Sequence, residues 1–142
     1  MSKGNTFEND LLLLIFNGTA IANIADNAAS SPLTNFYVAL HTADPGEAGN
    51  QTTSECAYTS YARVAVARTS GGWTVSGNQV VPTSIISFPQ ATGGSETATH
   101  FSIGTASSGT GKILYSGIVT PNISISTGIT PQIGTGTTVS ED

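Results

Sequence analysis

The run Phe36-Tyr37-Val38-Ala39-Leu40-His41-Thr42-Ala43-Asp44-Pro45-Gly46 reads as a strand that stops in a turn, and it organises what lies on both sides of it. Bulky Phe36, Val38 and Leu40 alternate with Tyr37, Ala39 and His41, so one face suits a core and the other is mixed. Asp44-Pro45-Gly46 then supplies a side-chain acceptor, a fixed φ and a residue free to take positive φ, which together end the strand.

Strand signals continue toward the C-terminus. Tyr61 to Arg68 alternates with Val64 and Val66 inward, and Ser70-Gly71-Gly72 is expected to turn it into a hairpin with Trp73-Thr74-Val75. Gly77-Asn78 marks another turn. Further strands are expected at Ser84 to Phe88, Ala98 to Gly104, Lys112 to Val119 and Ile123 to Ser126, with a weak one near Thr137 to Val139. Short strands between glycine-rich turns predict a mainly β chain, an antiparallel β-sandwich or jelly-roll-like domain over residues 32–142. No crossover helices lie between the strands, which argues against a parallel sheet.

Upstream, Asn5 to Phe16 predicts a helix. Asn5 and Glu8 have capping-box spacing, Phe7, Leu11, Leu14 and Ile15 share one face, and Asn17-Gly18 is a stop. A second amphipathic stretch, Thr19 to Ala29, carries Ile21, Ile24, Ala25 and Ala28 before Ser30-Ser31-Pro32 breaks it. Residues 1–31 therefore read as a short N-terminal helical assembly segment. Its Leu11 to Phe16 run is too short to cross a bilayer, and Glu8 and Asp10 before it disfavour a signal peptide, so no membrane partner is expected.

The chain has 142 residues, enough for one domain with a real core, but only 9% are charged against about 25% in ordinary soluble domains. Its surface must be built from Ser, Thr, Asn and Gly, which is cheap to immobilise against a neighbour. Four basic residues, Lys3, Arg63, Arg68 and Lys112, stand against nine acidic ones for a net charge of −5. Nucleic acid is excluded as a partner, because phosphate binding needs clustered cations. Cys56 is the single cysteine, so no internal disulfide forms.

No catalytic or cofactor motif is present, and the expected function is not enzymatic. The Ser/Thr-rich sequence holds no G-x-S-x-G elbow, and Asp44, Glu47, Glu55 and Glu96 sit in turns or polar loops as surface acids. His41 and His100 have no metal-site spacing, and each reads as a structural histidine held by a hydroxyl or a carbonyl. Asp44 to Gly49 lacks the alternating acids of a calcium loop, and Ser108 to Lys112 is a hairpin turn and no phosphate cradle. Trp73, Tyr37, Tyr58, Tyr61 and Tyr115 fit core or cross-strand packing, or a sugar platform if they share a face. Contact surface is expected from the polar loops Gly46 to Ser60 and Thr92 to Thr97. The interface candidates are thus Phe7, Leu11, Leu14 and Ile15 on the helix, with Glu47, Gln51, Glu55 and Glu96. Arg63 joins them, either paired to a neighbour's carboxylate or standing as a solvated edge charge.

Five segments in order, Phe36 to Gly46, Tyr61 to Val66, Ile86 to Pro89, Thr99 to Ala106 and Gly111 to Gly117, together resemble small structural proteins of tailed bacteriophages and prophages. The resemblance spans nearly the whole chain. It implies a non-catalytic virion subunit made in the host bacterial cytoplasm and built to tile against copies of itself or a larger protein. The sequence shows no collagen-like, coiled-coil or repetitive shaft, which turns the expectation toward a capsid cement or decoration protein bound to the major capsid protein on the capsid surface. The alternative is a tail-associated protein, tail-fibre-like or a baseplate adaptor, with tail proteins as its partners and a receptor or glycan as its ligand.

Overall fold

The alternation at Phe36 to Leu40 is realised as a strand in the computed structural model, which describes residues 3–21, 24–25 and 31–141. The chain is mainly β with an N-terminal helix. In order it forms α1 (Asn5–Asn17), β1 (Asn35–His41), β2 (Val64–Ala67), β3 (Trp73–Ser76), β4 (Gln79–Pro82), β5 (Ile86–Ser87), β6 (Ser95–Gly104), β7 (Ile113–Ser126), β8 (Gln132–Ile133) and β9 (Val139–Ser140). Among the described residues three sheets result, ordered β2-β1-β6-β7, β3-β4-β9 and β5-β8. The pairings β1–β6, β6–β7, β3–β4, β4–β9 and β5–β8 are all antiparallel.

Two compact units emerge: Met1–Asn35 with Val66–Ile85 and Gly134–Asp142, and Phe36–Ala65 with Ile86–Ile133. The helix is thus grouped with β3, β4 and β9.

In the second unit β1 pairs with β6 in the register Val38↔Ile103, Leu40↔Phe101 and His41↔His100. Val38, Leu40, Phe101 and Ile103 are buried on one face. The other face, expected to be mixed, is buried too: Ala39, His41 and Ser102 are closed off because the loop after β1 folds back over them. β7 is one continuous edge strand where two were expected. Pro121 lies within it, which an edge tolerates because no outward N–H is needed there. The ladder shifts register around it, from Ala98↔Ile123 to His100↔Ile118.

In the first unit β3 pairs forward with β4, not back with β2 as the Ser70-Gly71-Gly72 turn suggested. Gly77 takes φ +60 in the tight connection, and β4, missed in the sequence, follows at once. α1 buries Glu8, Leu12 and Phe16, the last edge-on to Trp73 at 4.9 Å between ring centroids. The expected face of Phe7, Leu11, Leu14 and Ile15 is therefore displaced by one residue: Phe7 is 40% exposed and the other three are half-buried. Gly4, not Asn5, is the N-cap, so the capping box does not form. The stop at Asn17-Gly18 does: Gly18 is left-handed at φ 66, and Thr19 N–H donates to the Leu13 carbonyl at 3.0 Å. The second helix is not seen at its described positions, since Ile21 and Ala25 bridge each other around a turn. The rest of that stretch, 22–23 and 26–29, lies outside the described residues.

Arg68 closes the helix end. Its guanidinium donates through Nε to the Ile15 carbonyl and through Nη2 to the Leu14 carbonyl at 2.6 Å, while its own N–H donates to the Thr34 carbonyl at 2.9 Å. A cation there satisfies orphan carbonyls and opposes the negative end of the helix dipole.

Candidate functional site

The loop between β1 and β2 carries most of the polar residues singled out in the sequence, and the structure turns three of them, Gln51, Glu55 and Arg63, inward. Gln51 is fully buried. Its Nε2 donates to the Tyr37 carbonyl at 3.0 Å, its Oε1 accepts from Ala106 N–H at 3.0 Å, and its own N–H donates to the Gly111 carbonyl at 2.9 Å. Space for it exists only because two neighbours lack side chains: a Cβ would lie 2.2 Å from the Gln51 amide carbon at Gly104 and 2.1 Å from Oε1 at Gly111. The expectation of Gln51 as a surface contact is corrected on this ground.

Arg63 meets the carboxylate of Glu55 in its own chain as a two-pronged pair, Nε to Oε1 at 2.7 Å and Nη2 to Oε2 at 2.8 Å. Nη1 and Nη2 also donate to the carbonyls of Ala106 and Gly109, at 2.9 and 2.7 Å. Only 2% of the Arg63 side chain is exposed, so it is neither an edge charge nor a hand extended to another chain. Tyr61 joins the same carboxylate: its hydroxyl donates to Glu55 Oε1 at 3.0 Å and accepts from Leu40 N–H at 3.1 Å. Burial pushes the phenol pKa of Tyr61 up. The ring stacks on Phe88 and stands edge-on to Tyr58, whose hydroxyl donates to the Pro89 carbonyl. These aromatics are packing elements, not a sugar platform. Glu96 holds the far side by accepting Ala57 N–H on both carboxylate oxygens, at 2.9 and 3.0 Å.

His41 sits beneath this loop. Nδ1 lies 2.9 Å from the Thr53 carbonyl and Nε2 2.8 Å from Ser102 Oγ. A carbonyl can only accept, so Nδ1 carries the proton and Nε2 accepts from the serine hydroxyl. Burial lowers the imidazole pKa from its ordinary 6.5, and the neutral ring suits both bonds. A serine on a histidine at this distance has the form of a nucleophile and its base. Both residues are 0% exposed, however, and no substrate carbonyl can reach them. Cys56 is likewise buried, and desolvation raises its thiol pKa to about 12, which keeps it unreactive.

Among the described residues no cluster of three His, Cys, Asp or Glu side chains could hold a metal ion, and no helix is long and apolar enough to cross a membrane. Of the sequence-derived candidates, Glu47 is exposed at the loop tip and Phe7 on the helix, whereas Gln51, Glu55, Arg63 and Glu96 spend their hydrogen-bonding groups within the chain. Sequence reasoning missed Ser102, Gly104 and Gly111. Ser102 had a signal: a hydroxyl between Phe101 and Ile103, within an expected strand, needs a buried partner.

A protein-family model described as podophage GP4 fiber I protein gp80 matches residues 2–140 of this chain. No curated protein matches it.

Proposed function

Because the chain belongs to the podophage GP4 fiber I protein gp80 family, and so is a phage structural protein, we propose that it is a non-catalytic fibre subunit carried on the tail of the virion. The family match over nearly the full length carries this reading. The geometry supports it: the nucleophile-like and acidic residues brace the loop from inside, and the chain turns outward a charge-poor polar surface with Glu47 at an exposed tip. Of the two placements open from the sequence, the fibre description favours the tail over capsid cement.

The test is to make particles lacking the protein. Shells that withstand heat and osmotic shock as the wild type does, on particles that no longer adsorb to cells, are the expected outcome. Normal adsorption with early rupture of the shell would overturn the tail reading in favour of cementing.

A further inference from the structure

His41 joins two elements through a run of hydrogens that has no room for another. Its Nδ1–H donates to the Thr53 carbonyl of the loop at 2.9 Å, and its Nε2 accepts the Ser102 hydroxyl of β6 at 2.8 Å. A second ring proton would set two hydrogens on the line between Nε2 and Oγ, so Ser102, itself 0% exposed, would have to turn its hydroxyl away from the ring. The charge itself has little to meet it. The charged and titratable groups around the ring are Glu55 in the loop, Arg63 just before β2, and His100 opposite it on β6. Glu55 favours a cation, but both its oxygens are already bonded to Arg63, and Arg63 and His100 oppose one.

The bonds beside the ring are the ones that hold this part of the loop to β1. Thr42 N–H donates to the Ser54 carbonyl and Cys56 N–H to the Leu40 carbonyl, each at 2.8 Å, with His41 and Glu55 bridged between them. We propose that His41 is an acid-sensitive latch: protonation of its ring releases the Thr52 to Cys56 stretch from β1 and so alters the surface on which Thr52 and Ser54 are exposed. The movement is short. Gln51, an amide with no proton to gain, still ties the start of the loop to Tyr37 and Ala106, and the Glu55–Arg63 pair holds on the other side of Thr53. The inference is independent of where on the particle the chain sits.

Amide exchange of the full-length protein tests it, followed residue by residue by NMR between about pH 7.5 and about pH 5 and corrected for the intrinsic pH dependence of exchange. The Thr42 and Cys56 amides should be less protected than those of Ala39 and Ser102, which pair across the β1–β6 ladder, because the former open locally. Their protection should be level above pH 6.5 and fall below it, by at most about tenfold per pH unit, as one proton taken up on opening requires. His41→Gln should remove the fall. His100→Gln should keep it, and because that variant leaves the buried ring untouched it separates the two histidines even where His41→Gln does not fold. Thr42 and Cys56 protection equal to that of the ladder, protection that does not change with pH, a fall that survives His41→Gln, or a fall that disappears in His100→Gln would each overturn the proposal.

Discussion

A methyl group added at Gly104 would collide with the Gln51 amide, whose three heavy atoms are the nearest it would meet. Expelling that amide strands the Tyr37 carbonyl and Ala106 N–H, so Gly104→Ala should cost about 2–3 kcal/mol in urea unfolding. Gln51→Ala, which vacates the space, should cost a similar amount. The double variant should cost clearly less than the two together, and strict additivity would refute the account. His41 makes a second residue-scale prediction. Its folded pKa lies below the ordinary 6.5, so the unfolded chain binds the proton first as pH falls. Stability is full above that value and declines as pH drops below 6.5, by at most about 1.4 kcal/mol per pH unit. Thermal melts should show this slope in wild type and a flatter profile in His41→Gln.

Strands with strong alternation were legible, and their partners were less so. Residues 36–40 announced β1 because bulk and polarity alternate there, whereas β4 was hidden by Pro82, a residue that argues against strand, and by the brevity of a two-residue turn. The missing β4 also misdirected Trp73 toward β2. The helix face was ambiguous for a different reason: Leu11 to Phe16 is apolar on every side, so periodicity could not say which stripe is buried, and the Phe16–Trp73 contact chose it. Arg68 shows what no local pattern contains, a side chain closing a helix more than 50 positions earlier in the chain. Arg68→Ala should lower stability by about 2–3 kcal/mol, and Arg68→Lys should recover less than half of that, since an ammonium cannot fork across two carbonyls; chemical denaturation measures both.

At the scale of the molecule, composition foretold a surface poor in charge and the resemblance of five segments foretold a phage structural protein, with which the family match agrees. The inward turn of the polar loop was not legible, because the groups that hold Gln51 and Arg63 are contributed by Tyr37, Ala106, Gly109 and Gly111, distant in sequence and silent in character. Removing Arg63 leaves the Glu55 carboxylate with the Tyr61 hydroxyl but without its countercharge, so Arg63→Ala should cost about 3–5 kcal/mol, read by thermal melt. The clamp it forms also bears on lifetime. A particle outside its host can neither resynthesise nor refold its parts, and a long surface loop is where digestion begins. Tied at Gln51, Thr53, Glu55 and Ala57, this loop reaches the extended form that an endopeptidase needs only when most of its unit opens. The wild-type chain should therefore outlast Arg63→Ala many-fold in thermolysin at temperatures where both remain folded, with the first cut falling between positions 46 and 60.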